Sequence, residues 1–192
     1  MCDPVRVHPA FAGLAALCLF FAAFPLARAN EAAAWSALAA GGHTLLLRHA
    51  ATEPGVGDPA GFRLDDCATQ RNLSAEGRVQ ADAIGKRLAS RNVAIGAVLS
   101  SRWCRCLDTA RLAFGSVEEW PPLDSFFSDR EAANARTRDV LERAKRWQGP
   151  GTLVLVTHQM NIIAAAGEST AMGEGLVIDR AGRVIGRVPA AP

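Results

Sequence analysis

Two apolar runs that each end on a histidine constrain this chain more than any other feature. Leu45-Leu46-Leu47 stops abruptly at Arg48-His49, and Leu153-Val154-Leu155-Val156 stops at Thr157-His158. A short, uninterrupted apolar run bounded by turn residues reads as a strand buried on both faces, as in a parallel sheet covered by helices. In open α/β sheets, ligands sit at the carboxyl ends of such strands. A lone strand-end histidine is more often structural. Two of them, with an arginine beside one, point to an anion site that holds a nucleophile.

The rest of the chain supplies the helices such a sheet needs. Glu31 to Ala40 is alanine-rich and helical, closed by Gly41-Gly42. His43 to Arg48 is the first strand. Residues Ala51 to Asn72 carry Pro54, Gly55, Gly57, Asp58, Pro59 and Gly61 and form a long loop, a length usually reserved for function. Ser74 caps a helix running to about Arg91. Ile95 to Leu99 is a strand, Arg102 to Phe114 a helix closed by Gly115, and Val117 to Trp120 a short strand stopped by Pro121-Pro122. Arg130 to Trp147 is a charged helix with Val140, Leu141 and Ala144 inward. Thr152 to Thr157 is a strand, followed by a short helix. A hairpin closes the chain, Leu176-Val177-Ile178 and Val184-Ile185-Gly186 flanking Arg180-Ala181-Gly182. This alternation predicts an α/β fold with a mostly parallel sheet covered on both faces.

Composition narrows the function. The chain has 192 residues, 49% of them hydrophobic, enough for one domain with its own core. A net charge of +2 with no basic run gives no reason to expect a nucleic-acid partner. Arg6 and His8 precede an apolar stretch from about Ala10 to Leu26, and Ala27-Arg28-Ala29 fits a small-x-small cleavage site. Pro25 is placed to break a continuing helix just before it. Residues 1–29 are therefore expected to be a secretory signal. Residues 30–192 are then one domain, periplasmic or secreted, with no stable membrane insertion once the signal is cut. An uncleaved anchor is the alternative. Of the cysteines, Cys67, Cys104 and Cys106 lie beyond the signal. In an oxidising compartment three thiols imply one bridge and one spare. Cys104 and Cys106 are too close to pair with each other, so Cys67 is expected to bond one of them. A zinc site would lack its second cysteine pair.

Three segments converge on one chemistry. Arg48-His49 is the first and Thr157-His158 the second. The third is Ser100-Ser101-Arg102-Trp103-Cys104-Arg105, where a strand runs into a helix whose first turn offers free N–H groups and a positive dipole end to an anion. Arg48 and Arg105 suit phosphate, which guanidinium groups grip through paired bonds. A neutral imidazole can attack phosphorus and carry a phosphoryl group. A second one can steady the equatorial oxygens as charge builds.

These motifs together resemble the histidine phosphatase superfamily, which includes the phosphoglycerate mutases and many acid phosphatases. The family opens on a strand ending Arg-His-Gly, here Arg48-His49-Ala50. It continues with Leu-Ser/Thr-x-x-Gly-x-x-Gln, here Leu73 to Gln80 with Ser74 and Gly77. Next comes Ser-Ser-x-x-x-Arg-x-x-x-Thr-Ala, here Ser100, Ser101, Arg105, Thr109 and Ala110, and last a strand ending Thr-His, here Thr157-His158. The four lie in family order over about Thr44 to Gly167. The resemblance implies a three-layer α/β/α sandwich and a phosphohistidine on His49. It implies a phosphate pocket of Arg48, Arg105 and His158, and helix-placing roles for Gly77, Gln80, Thr109 and Ala110. It implies no metal and no organic cofactor.

The proton donor is where the pattern departs. Some members carry a glutamate in a Leu-x-Glu segment after the third strand; here the region reads Pro122-Leu123-Asp124-Ser125. Others carry an aspartate after the second histidine; here it is Gln159. Asp124 is the first candidate for the acid, with Asp58 in the long loop and Glu174 near Gly173 and Gly175 behind it. The long loop should roof the pocket, with Arg71 or Asn72 reaching the substrate and Cys67 pinning the loop beside Arg105. The expected activity is phosphomonoester hydrolysis on a phosphorylated small molecule, with an envelope sugar phosphate as one candidate. A non-catalytic phospho-ligand binding module is the rival class, and a phosphoglycerate mutase-type phosphotransferase the weaker one.

Overall fold

Period-two alternation decides which face of the sheet each strand residue joins. In β1 (Thr44–Arg48), Leu45 and Leu47 enter one core cluster and Leu46 the other. In β4 (Thr152–Thr157), Val154 and Val156 oppose Leu153 and Leu155. Both strands are therefore apolar on both faces, which is what their unbroken runs required. The computed structural model describes residues 20–127 and 129–191, with side chains from residue 30 onward. The remaining strands are β2 (Ile95–Ser100), β3 (Glu118–Glu119), β5 (Gly175–Ile178) and β6 (Val184–Val188). They form one sheet in the order β3-β2-β4-β1-β5-β6. The first four positions of that order are parallel; β5 and β6 run antiparallel as a hairpin at the edge. The sheet is mostly parallel, as expected.

Helices cover both faces and make three layers. On one side lie α1 (Phe20–Ala40), α2 (Ala75–Ser90) and α3 (Cys104–Phe114), packing through Trp35, Leu38, Ile84, Leu88, Cys106 and Ala110. On the other lie α4 (Ala133–Lys145) and α5 (Gln159–Ala166), packing through Val140, Ala144 and Ile162. Ser74 caps α2, its hydroxyl accepting from the Gly77 N–H at 3.1 Å. A Cβ on Gly77 would stand 1.8 Å from the Ala51 carbonyl oxygen, so a glycine lets α2 start against the segment that follows the first histidine.

Several expected boundaries move. α3 begins at Cys104 rather than Arg102, because Trp103 is still extended. The expected helix from Arg130 opens as a 3-10 turn, Arg130–Ala132, before α4 begins. The short strand before Pro121 shrinks to Glu118–Glu119. β6 runs two residues past Gly186, where the absent side chain lets the Asn30 carbonyl of α1 approach. The first 19 residues of the expected signal lie outside the described residues. The next ten open α1, which continues through Pro25 and the expected cleavage site to Ala40. Pro25 therefore does not end this helix; its missing N–H removes a single backbone bond. Among the described residues no helix is long and apolar enough to cross a membrane.

Candidate active site

Because β1, β2 and β4 are parallel, their carboxyl ends share one edge of the sheet. Register sets Arg48 beside Thr157 and Ser100 beside Val156. The chain stays pinned for one residue more: His49 N–H donates to the Thr157 carbonyl at 3.1 Å and Ser101 N–H to that of Val156 at 3.0 Å. His49 and His158 thus emerge side by side, their rings 5.6 Å apart and edge to face. Thr109 of α3 fixes the next step. Its hydroxyl accepts from Ala50 N–H at 3.0 Å and donates to the Arg105 carbonyl at 2.7 Å, tying the nucleophile's segment to the turn that carries Arg105. Gln80 adds a second tie, its side-chain oxygen accepting from Ala51 N–H at 3.0 Å.

Both histidines are buried, 3% and 5% exposed, and burial sets their charge state. Desolvation, reinforced by the Arg105 guanidinium, pulls the His49 imidazole down to about 3. Desolvation and then Arg105 hold His158 well below its ordinary value too. Both rings are neutral at pH 7. His49 Nδ1 sits 2.8 Å from the Ala50 carbonyl oxygen, which can only accept. The proton therefore resides on Nδ1 and the lone pair on Nε2. His158 Nε2 lies 2.8 Å from the Ser101 hydroxyl. Burial and the neighbouring guanidinium groups of Arg71 and Arg105 lower Arg48. Three crowded cations and a neutral imidazole lone pair form an environment built for a phosphate group.

Arg48, His49, Arg105 and His158 line one cavity of about 500 Å³. The long loop roofs it, as expected, and brings Arg71 to the wall. It also brings Asp58, whose carboxylate takes both Nη atoms of Arg105, at 2.6 and 3.2 Å. Asp58 accepts further bonds from Trp103 Nε1 at 2.9 Å and Arg71 N–H at 3.1 Å. Burial pushes this carboxyl up, but the donors and charge of Arg105 outweigh it and leave it below its usual value. Cys67 bonds Cys104, with Cα atoms 5.7 Å apart, so the roof is stapled to the first residue of α3. Cys106 is the free thiol, buried beneath His158, and desolvation pushes it up to about 12.

Three expectations need correction. Asp124 does not border the cavity. It is 1% exposed, and its oxygens accept from Arg102 N–H at 2.9 Å and Arg102 Nε at 2.8 Å, with the Ser101 hydroxyl at 3.4 Å. A carboxylate so placed braces the loop and, through Ser101, the His158 ring. Asn72 turns its amide back onto the Cys67 carbonyl at 2.6 Å and so braces the loop rather than touching a substrate. Two of the donors at the start of α3 are not free for an anion either. Trp103 N–H goes to the Ser101 hydroxyl and Cys104 N–H to the Gln70 side-chain oxygen at 3.0 Å. Sequence reasoning missed Gln70 and Trp103. The only signal for them was their position beside Cys67 and Arg105, the residues that draw the loop and α3 together.

Comparison with known proteins agrees with this layout. Residues 44–125 match the model of the histidine phosphatase superfamily, branch 1. Among solved structures, the chain is similar to SixA of Agrobacterium tumefaciens, a candidate phosphohistidine phosphatase. Identity is 23% and the TM-score 0.54, over 78% of this chain and 97% of that one. It is similar at 21% identity and TM-score 0.54 to a phosphoglycerate mutase of Thermus thermophilus, over 78% and 99% of the two chains. TTHB049 of the same organism matches at 22% and 0.53, over 77% and 99%. At these identities the structures speak for the fold. No curated protein matches the chain.

Proposed function

We propose that this chain, whose residues 44–125 match the histidine phosphatase superfamily model, is a phosphomonoesterase working through a phosphohistidine on His49. The superfamily supports a phosphatase or phosphotransferase in general. The observation that carries the narrower reading is the tautomer of His49. With its Nδ1 proton committed to the Ala50 carbonyl, the buried ring presents an unprotonated Nε2 beside His158 and between arginines.

In this reading Arg48, Arg105 and His158 hold the phosphate oxygens. His49 Nε2 attacks phosphorus in line, the P–O ester bond breaks, and water then attacks the phosphohistidine to release phosphate and restore the ring. Export to the periplasm or medium is part of the proposal. Arg6, the apolar run that follows and the Ala27-Arg28-Ala29 site support it, as does the Cys67–Cys104 bridge. A small phosphorylated molecule such as an envelope sugar phosphate fits a cavity of about 500 Å³.

The test is hydrolysis of p-nitrophenyl phosphate with chelator present, beside His49→Ala, followed by an alkaline quench to trap labelled phosphate on the protein. Chelator-resistant turnover and acid-labile label, both abolished in His49→Ala, are expected. Phosphate binding with neither turnover nor label would instead make this a phospho-ligand binding module.

A further inference from the structure

Hydrolysis of an ester with a poor leaving group needs a proton at the departing oxygen. Of the three carboxyl groups considered for that task, only one borders the cavity. Asp124 is held by Arg102 outside it. Glu174 accepts from Ala171 N–H at 2.7 Å and Arg187 Nη1 at 2.9 Å and is likewise absent from its wall. Among the described residues Asp58 is the one carboxyl that lines it, and it shares that wall with His49 and His158.

We propose that Asp58 is the catalytic proton carrier, and that substrate phosphate arms it by taking Arg105 away from it. This rests on the phosphomonoesterase reading above. In the resting protein Asp58 fills the fork of Arg105, so a carboxylate occupies donors that a phosphate would use. The groups facing it are Arg105 and Trp103 from α3 and its approach, and Arg71 from its own loop. An entering phosphate competes for the same guanidinium. Asp58 then loses its strongest cationic partner and gains an anionic neighbour, and both changes favour the protonated carboxyl.

The protons balance without an outside donor. The ester binds as its monoanion and passes its remaining proton to Asp58 as its oxygens engage Arg105. His49 Nε2 forms the N–P bond, the ester P–O bond breaks, and its electron pair stays on the leaving oxygen, which takes the Asp58 proton and departs as the alcohol. In the second half Asp58, again a carboxylate, removes a proton from the attacking water as the O–P bond forms, and returns it to the released phosphate, which departs as its monoanion and leaves Asp58 a carboxylate on Arg105. The N–P electrons return to Nε2.

Leaving-group dependence tests this on the intact protein. Phenyl phosphates of rising leaving-group pKa, with glycerol 2-phosphate as an alkyl ester, are compared for the wild type and Asp58→Asn. The wild type should show a shallow dependence of kcat/KM on leaving-group pKa. Asp58→Asn should steepen it, losing about 100-fold or more on the alkyl ester and less than about 10-fold on p-nitrophenyl phosphate, which leaves without help. Equal losses on every ester, or none, would overturn the assignment and leave Asp58 as a brace. Should Asp58→Asn fail to fold, a steep dependence in the wild type alone overturns it, since no proton is then delivered. A wild type that hydrolyses no ester and carries no label on His49 would overturn the phosphomonoesterase reading itself, a result distinct from equal losses in an active enzyme.

Discussion

The oxygens of Asp124 are occupied by Arg102, whose side chain is 40% exposed while that of Asp124 is 1% exposed. The asymmetry predicts unequal effects at the two ends of the pair. Arg102→Ala leaves a buried carboxylate with the Arg102 backbone N–H and the Ser101 hydroxyl as its remaining partners there, and should cost about 2–3 kcal/mol in urea unfolding. Combining Arg102→Ala with Asp124→Asn should cost less than the sum of the single changes, because the orphaned charge disappears. Asp124→Asn should also leave the shape of the leaving-group dependence as in the wild type. A selective loss on alkyl esters would return Asp124 to the role of proton donor. The bond from Ser101 to His158 makes a modest fall in kcat compatible with a bracing role, provided every ester is affected alike.

At the level of elements, two contacts hold the roof and the nucleophile's segment in place. Gly77 meets the Ala51 carbonyl at the start of α2. Gly77→Ala gains about 1 kcal/mol of helix propensity, but a Cβ 1.8 Å from a backbone oxygen forces the segment after His49 to move. Overpacking of that kind costs about 1–3 kcal/mol, and more against backbone than against side chains. A net fall in melting temperature with a fall in kcat is expected; a more stable, fully active variant would refute it. The Cys67–Cys104 bridge closes a loop with a sequence separation of 37, worth about 4 kcal/mol in the chain-entropy model. Cys67→Ser should lower stability by about 2–4 kcal/mol. Trypsin cuts after Arg105, so non-reduced peptide mapping separates the two candidates. The peptide holding Cys67 should be linked to the one holding Cys104, with Cys106 free. These elements also show what a sequence makes legible. Strand ends stood out because a strand buried on both faces leaves an unbroken apolar run. Ser74 announced α2 because a cap is local chemistry. Cys104 and Cys106 could not be told apart by spacing, yet two residues of helix turn them about 200° from each other. One therefore meets the loop and the other the core under His158. Which acid meets which arginine depended on the path of residues 51–72, a loop with no periodicity, so the pairing of Asp58 with Arg105 and of Asp124 with Arg102 was not legible.

The molecule as a whole carries the cost of keeping two imidazoles neutral in its interior. Unfolded, His49 and His158 bind protons near pH 6.5; folded, His49 does so only at about 3, and His158 is likewise well below its ordinary value. Below pH 6.5 the unfolded chain therefore holds more protons than the folded one. Stability rises with pH wherever that is so, and it is fully present only above the unfolded value. Acidification from pH 6.5 toward 4 should remove roughly 1.4 kcal/mol per pH unit for His49 once well inside that window, with His158 adding loss in the same direction. Asp58 acts in a different range. Its folded value is depressed, so its contribution holds above the ordinary carboxyl range and is lost only as pH falls through the folded value. Between pH 6 and 4.5 the histidines should set the slope. Urea unfolding across that interval should show a steep loss, and His49→Gln, neutral at every pH, should make it shallower. A melting temperature unchanged from pH 7 to 5 would mean the rings accept protons without unfolding. The same argument carries to catalysis. Because Nε2 of His49 stays unprotonated down to about pH 3, the acid limb of kcat/KM should not fall at the ordinary histidine value. A clear drop near pH 6.5 that His158→Asn leaves in place would show that His49 is exposed to protons in the working enzyme and that its burial is relieved during turnover.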